Sequence, residues 1–365
     1  MNLVGFDYEN KKDKELTKLF IESKTTKKYI LGINKLTKSV LKYIDVDGVI
    51  DDFTRLQSSR KKGILKIEDV PKDSIILSTA SGSPIEVKKA LDSMGYTNFN
   101  YLSFLRFSKL DLPQPMFMGD FEDDFKENEK EYENIFNLLS DEKSKEIFTS
   151  VLNFKMTYDL EFMNNFTNNH DGQYFDLEYL PKIDKVRFVD GGGYTGDTLP
   201  NIIKNYPDFE KIYLVEPNSL HMNIAKKNFE DISNIEFINC GLGLKKILST
   251  NDNLKIHNCD HNYQANNIDS IDNIINEKID FIKLDIEGAE QDALIGASKT
   301  IDKYHPVLAI CIYHKAEDWY KIPKIVLDIR DDYSIYLRHY MEGIFETVMY
   351  FIPSKNKNIS QPLYI

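Results

Sequence analysis

FVDGGGYTGDT, residues 188–198, sets three glycines between an apolar run and a helical pattern, and its reading decides the fold. Gly191, Gly193 and Gly196 satisfy G-x-G-x-x-G, and Glu216 closes the next apolar run twenty residues after Gly196. In an α/β sheet such glycines permit a tight strand-to-helix turn, and a carboxylate at the end of the second strand accepts hydrogen bonds from a ribose diol. The surroundings agree. Apolar runs at Val186–Val189, Ile212–Val215, Ile235–Asn239, Phe281–Leu284 and Val307–Ile312 alternate with helical spacing at Leu199–Asn205, Leu220–Phe229, Ser270–Asn276 and Ala289–Tyr304. That alternation predicts a doubly wound sheet starting at Lys185. A helix around Ile325–Arg330 follows, then two β-rich runs, Ser334–Leu337 and Thr347–Ile352, joined through Met341–Phe345 as a hairpin at the sheet edge.

Upstream, residues 1–110 read as a smaller α/β unit. Tyr29–Gly32, Val46–Ile50, Ser74–Ser78 and Phe99–Phe104 have strand character, with helices expected at Lys35–Tyr43 and Ile85–Met94. Gly32 is followed by Ile33 and Asn34, so the dinucleotide fingerprint is missing, and a structural or substrate-docking role is expected there. Residues 111–184 read as a helical connector. They hold Pro113 and Pro115, an acidic run Asp120–Glu133 that suits a solvated face, and apolar spacing through Ile135, Leu138, Leu139, Ile147, Val151 and Leu152. The second domain then runs over 185–365.

The chain has 365 residues, 42% of them hydrophobic, and a formal net charge of −12. Those figures exclude a single small module and a disordered chain. The acidity opposes broad attraction to nucleic acid or to anionic membrane, which favours a small-molecule partner. No apolar run of ~18 residues offers a membrane span, and the N-terminus shows no apolar signal region, so a cytoplasmic setting without membrane insertion is expected. Cys240, Cys259 and Cys311 show no C-x-x-C spacing and build neither a disulfide framework nor a four-thiolate zinc site. His257, Cys259 and His261 alternate along one stretch, and without a fourth ligand they read as a loop over the acceptor pocket.

Charge discriminates between cofactors for the glycine loop. A dinucleotide would bring a pyrophosphate to the helix N-terminus, and Asp190 and Asp197 on either side of the glycines would repel it. S-Adenosylmethionine carries a sulfonium and an ammonium and no phosphate, so an acidic loop suits it. FIKLDIEGAE, residues 281–290, ends its strand with Asp285 and Glu287 on one face, where open α/β sheets bind ligands. Lys283 of the same strand is expected toward the substrate, and Glu290 reads as a charge complementing a helix dipole. CIYHKAED, residues 311–318, would deliver His314 to the same rim as a general base or a metal ligand. Asp285, Glu287 and His314 form an O/O/N set suited to Mg, Mn or Fe, while a metal-free base with an orienting carboxylate uses the same residues. Arg338 and His339 are candidates for a nucleotide-sugar diphosphate.

Taken in order, DGGGYTGDT, VEPN (Val215 to Asn218), the Ile268–Ser270 segment, KLDIEGAE, YHKAED, LRHY (Leu337 to Tyr340) and TVMYFIP (Thr347 to Pro353) resemble the FkbM family of S-adenosylmethionine-dependent methyltransferases. The resemblance covers about residues 185–353. It implies a class I, Rossmann-like fold and methylation of oxygen, commonly on sugars of bacterial glycans or on secondary-metabolite hydroxyls. It also implies that Asp190, Gly191, Gly192 and Gly193, with Thr195 and Gly196 completing the loop, lie against the methionine moiety. Glu216 would take the ribose, Asn218 would lie close to the adenosine, and Cys240 and Gly241 would flank the adenine. Asp285 would sit beside the methyl group and the acceptor hydroxyl, with His314 opposite. The N-terminal unit is similar to a degenerate Rossmann-like module that accompanies some sugar-modifying enzymes. An NAD-dependent sugar oxidoreductase, a non-catalytic S-adenosylmethionine-binding module and a homo-oligomeric assembly stay open at this point.

Overall fold

Buried on both faces, the strands of a parallel sheet need continuous apolar runs, and the runs around the glycine loop supply them. The computed structural model describes residues 1–5, 7–51, 63–248 and 267–354. It divides into two compact units: Met1–Glu122 with Phe148–Asn168 and Tyr340–Phe345, and Asp123–Ile147 with Asn169–His339 and Glu346–Ile365.

The first unit opens with α1 (Lys11–Glu22), followed by β1 (Lys28–Leu31), α2 (Lys35–Val40), β2 (Gly48–Ile50), β3 (Ile64–Leu65), β4 (Ile75–Ser78), α3 (Pro84–Ser93), β5 (Thr97–Asn100) and α4 (Tyr101–Ser108). Its five strands are all parallel, in the order β3-β2-β1-β4-β5. The expected strand over Phe99–Phe104 stops at Asn100 because the Asn100 side chain caps a helix by accepting from the Ser103 amide. Tyr101, Phe104 and Leu105 then bury with helical spacing.

Two helices follow, α5 (Phe121–Leu138) and α6 (Glu142–Thr157), and the division between units crosses both. Residues 111–184 are thus shared between the units. The Tyr132 hydroxyl donates to the Ala316 carbonyl at 2.8 Å, which ties that part of α5 to the second unit.

The second unit continues with β6 (Arg187–Gly191), α7 (Leu199–Asn205), β7 (Lys211–Val215), α8 (Ser219–Asn228), β8 (Ile235–Ile238), β9 (Gly241–Leu242), β10 (Ile247–Leu248), β11 (Asn267–Asp269) and α9 (Ile271–Ile274). Next come β12 (Phe281–Leu284), α10 (Glu290–Ile295), α11 (Ser298–Tyr304), β13 (Val307–Cys311), α12 (Asp318–Ile329), β14 (Tyr333–His339) and β15 (Thr347–Pro353). The main sheet has seven strands in the order β14-β15-β13-β12-β6-β7-β8, with β14 and β15 forming the antiparallel edge hairpin. β9, β10 and β11 make a separate small sheet. The helix expected over Ala289–Tyr304 is two helices, broken at Gly296, whose carbonyl accepts from the Asp272 amide and whose Cα faces the Gly243 carbonyl. The last helix starts at Asp318, seven residues earlier than the apolar pattern indicates, and buries Trp319 and Ile322.

β6 and β12 lie at the centre of this sheet, and their register places Phe188 beside Phe281. The two rings stack at 4.6 Å and are fully buried. Phe188→Ala is expected to lower stability by about 3–5 kcal/mol, the cost of an unfilled aromatic site in a core. Urea unfolding monitored by circular dichroism would measure it, with Phe188→Leu costing less.

Candidate active site

The sheet order sets the cleft. β6, β7 and β8 progress in one direction from the centre and β12, β13 and β15 in the other, so the loops after β6 and β12 diverge and leave a crevice at the carboxyl ends of the strands. A cleft of about 460 Å³ occupies it, within the ~300–1,000 Å³ typical of small-molecule sites.

The glycine loop owes its composition to close approach. A Cβ on Gly192, where φ is +76°, would fall 1.8 Å from the Asp285 carbonyl oxygen, and one on Gly193 would fall 2.3 Å from Leu214 Cγ. Gly191 and Gly193 thus pack inward, Gly196 turns at φ +84° against Phe229, and Gly192 lines the cleft. The amides of Gly192 and Gly193 both donate to the Val215 carbonyl, at 2.9 and 3.1 Å. Of the remaining loop residues, Tyr194, Asp197 and Thr198 line the cleft, and Thr195 is not part of the lining.

Asp190 and Lys283 form a buried pair, with Nζ 2.9 Å from Oδ1. The same ammonium donates to the carbonyls of Gly191 at 3.2 Å and Gly192 at 3.0 Å. Burial opposes its charge, but Asp190 and Asp285 outweigh that and hold the lysine above its ordinary range. Lys283 therefore clamps the glycine loop while also lining the cleft, and Asp190 is fully buried against it.

Glu216 stands at the end of β7, where its carboxylate accepts from the amides of Tyr194 (3.1 Å) and Asn218 (2.8 Å). Its pKa is raised by burial. The Asn218 side chain caps α8, accepting from the amides of Leu220 and His221. Cys240 and Gly241 line the cleft beside Leu242, and burial pushes the Cys240 thiol up to about 11.

Asp285 is the hub of the opposite half. The Tyr174 hydroxyl donates to its Oδ2 at 3.1 Å and the Tyr313 hydroxyl to its Oδ1 at 3.2 Å, while His314 Nε2 lies 3.4 Å from Oδ1. Burial would raise the carboxyl, but Lys283, His314 and the two phenols hold it below the usual range. His314 Nδ1 lies 3.0 Å from Glu290 Oε1, and Nε2 is 3.9 Å from Glu287 Oε2. Burial disfavours the imidazolium, yet Glu290, Asp285 and Glu287 lift its pKa to about 9. Both ring nitrogens thus face carboxylates, which favours the charged imidazolium over the free base. Glu290, expected as a dipole charge, is fully buried against His314 and accepts from the Ile286 amide at 2.8 Å. Among the described residues the compact groups that could hold a metal are Asp285, Glu290 and His314, and Asp285, Cys311 and Glu346; Glu287 is in neither.

Arg338 and His339 do not reach the cleft. The guanidinium is buried, 2.8 Å from Asp141 Oδ2, 3.0 Å from the Ser144 hydroxyl and 2.8 Å from the Leu337 carbonyl, and His339 Nδ1 meets the Thr347 hydroxyl at 2.9 Å. Their expected diphosphate role is thereby corrected, since the arginine's donors are committed to Asp141 and its neighbours. His257, Cys259 and His261 lie outside the described residues. Tyr174, Tyr313, Gln173 and Glu346 line the cleft and are absent from the sequence reading. Tyr313 is adjacent to His314 in CIYHK and was within reach of that motif, whereas Tyr174 and Glu346 stand in irregular segments without a pattern. No helix among the described residues is long and apolar enough to cross a membrane.

The seven-stranded sheet with its glycine turn and acidic cleft has the architecture of a class I methyltransferase. Residues 190–340 match the family model described as the methyltransferase FkbM domain, the stretch in which the sequence motifs fall. Among solved structures, methyltransferase FkbM from Methylobacillus flagellatus KT is similar at 24% identity, covering 94% of each chain with a TM-score of 0.74. A precorrin-6y C5,15-methyltransferase from Geobacter metallireducens GS-15 aligns over 47% of this chain and 80% of its own at 10% identity and a TM-score of 0.31. Aeropyrum pernix fibrillarin, solved with natively bound S-adenosyl-L-methionine, aligns over 48% and 70% at 16% identity and a TM-score of 0.31. A search of curated proteins finds no match.

Two outcomes are expected from this geometry. Gly192→Ala should weaken S-adenosylhomocysteine binding at least about tenfold by calorimetry, because the added methyl group displaces either the loop or Asp285. The second concerns pH. His314 is raised from 6.5 to about 9 on folding, so its contribution is fully present below 6.5 and lost as pH rises through 9. The raised carboxyls of Asp318 and Glu346, at about 7, lose theirs below that range. Thermal stability should therefore fall between pH 7 and 9, and His314→Gln should flatten that fall in differential scanning fluorimetry.

Proposed function

We propose that the second unit transfers a methyl group from S-adenosylmethionine to a hydroxyl of a sugar, in the biosynthesis of a bacterial surface glycan. The family match supports methyl transfer from this donor; the oxygen acceptor and its sugar class come from the motif resemblance. The observation that carries the reading is the charge of the cleft. Five carboxylates line it, Asp197, Glu216, Asp285, Glu287 and Glu346, against one lysine, Lys283, whose ammonium is already paired with Asp190. Such a lining welcomes a sulfonium and an ammonium and repels a pyrophosphate, which argues against a nicotinamide dinucleotide.

In this reading the β6-β7-β8 half takes the cofactor. Gly192 lets it approach the sheet, Glu216 accepts from the ribose hydroxyls with its remaining lone pairs, and Cys240, Gly241 and Leu242 frame the adenine. S-Adenosylmethionine, when bound, supplies an electrophilic methyl group. The chain's residues supply alignment: Tyr174, Tyr313 and charged His314 hold Asp285 rigid beside the reacting centre, and Asp285 orients the acceptor hydroxyl. We read the site as metal-free, with His314 meeting Glu290 through one ring nitrogen and Asp285 through the other. With Arg338 committed to Asp141, recognition of an activating diphosphate by that residue is no part of the proposal.

A labelled-methyl transfer assay with a panel of free sugars, methyl glycosides and nucleotide sugars tests the reading. Incorporation into a base-stable methyl ether is expected, unchanged by a chelator, together with calorimetric binding of S-adenosylhomocysteine and none of NAD. NAD binding, or S-adenosylhomocysteine binding without transfer to any acceptor, would sink it.

A further inference from the structure

We propose that Glu346 receives the proton of the acceptor hydroxyl, as a further catalytic residue of the second unit. The inference rests on the hydroxyl-methylation reading and adds the group that reading lacks, because His314 faces Glu290 and Asp285 through its two ring nitrogens and Asp285 is already engaged by Tyr174, Tyr313 and His314.

Four observations place Glu346. The antiparallel pairing of β13 with β15 sets Cys311 opposite Val348 and has the Ile312 amide donate to the Thr347 carbonyl, so Glu346 enters the sheet beside Tyr313 at the carboxyl end of β13. That is the half of the cleft away from the glycine loop, Glu216 and Cys240, and its carboxylate lines the cavity there. Its oxygen lies within 4.8 Å of ligand atoms of Asp285 and Cys311. Finally, its backbone has φ +65°, a conformation costly for a residue with a Cβ and concentrated at functional sites. The Gln173 side-chain amide donates to the carboxylate and fixes its direction.

The groups that face Glu346 come from three segments: Asp285 and Lys283 at the end of β12, Cys311, Tyr313 and His314 at the end of β13, and Gln173 with Tyr174 ahead of β6. Burial and the Asp285 charge raise its carboxyl to about 7, while Gln173, His314 and Lys283 pull the other way. In the step, the acceptor oxygen bonds to the methyl carbon as the carbon–sulfur bond breaks. That bond's electron pair goes to sulfur, which becomes a neutral thioether. The electrons of the acceptor O–H bond stay on oxygen, giving the methyl ether, and the proton passes to the Glu346 carboxylate.

The test compares wild type, Glu346→Gln and Gln173→Ala in methyl transfer to the acceptor found in the panel, with S-adenosylhomocysteine calorimetry as a readout independent of turnover. Wild-type kcat is expected to rise with pH through a midpoint near 7. Glu346→Gln should lose about 10²–10⁴-fold in kcat, lose that pH dependence and keep S-adenosylhomocysteine affinity within about threefold. Gln173→Ala, which removes a donor to the ionised form, should move the midpoint upward. Retained kcat with an unaltered profile in Glu346→Gln overturns the proposal, and so does loss of S-adenosylhomocysteine binding, which would assign Glu346 to the cofactor half. Should Glu346→Gln fail to fold, an unmoved midpoint in Gln173→Ala overturns it. Wild type inactive on every acceptor would instead be the failure of the methylation reading, and the proposal would fall with it.

Discussion

The approach of the loop after β6 to the end of β12 is the constraint on which the second unit's cleft depends. At Gly192 the two backbones pass so close that a single methyl group would overlap the Asp285 carbonyl oxygen. Lys283 locks the approach from below, binding the Asp190 carboxylate and two loop carbonyls with one ammonium. Deleting one partner of such a buried pair strands the other charge, at a cost of about 3–5 kcal/mol. The pair is therefore structural, and the contact it maintains brings the cofactor half and Asp285 to one crevice.

Charge is organised in two layers around that contact. Beneath the cleft, Asp190 meets Lys283 and Glu290 meets His314. Facing the cleft, carboxylates prevail; burial raises Glu287 and Glu346, and repulsion from Asp285 adds to it. A cationic ligand relieves this repulsion and an anionic one worsens it. The pairing of Asp190 changes the origin of the acidity without changing its sign: Asp197, Glu216, Asp285, Glu287 and Glu346 supply it.

Much of the architecture was legible in the sequence because the second unit's strands are buried on both faces, and Val186–Val189, Ile212–Val215, Phe281–Leu284 and Val307–Ile312 leave little alternative. The first unit was harder where side-chain capping competes with apolar content: Asn100 begins a helix inside what reads as one strand. In the site, the residues attached to strand ends, Glu216, Asp285 and His314, were found because each closes an apolar run. Tyr174, Gln173 and Glu346 lie in irregular backbone, where neither the period of a strand nor that of a helix marks the face a side chain takes.

The sequence by itself determined the doubly wound sheet, the glycine turn and the strand ends that carry chemistry, because these follow from local spacing and from backbone sterics. Tertiary structure decided which charges are spent on one another. Lys283 and Arg338 both read as substrate contacts, and both are consumed by carboxylates from elsewhere in the chain, Asp190 and Asp141. His314 is drawn toward its charged form because Glu290 folds back against it. The physical reason is that ionisation and availability depend on burial and on partners brought close by the fold, and residue order specifies these only through the completed packing.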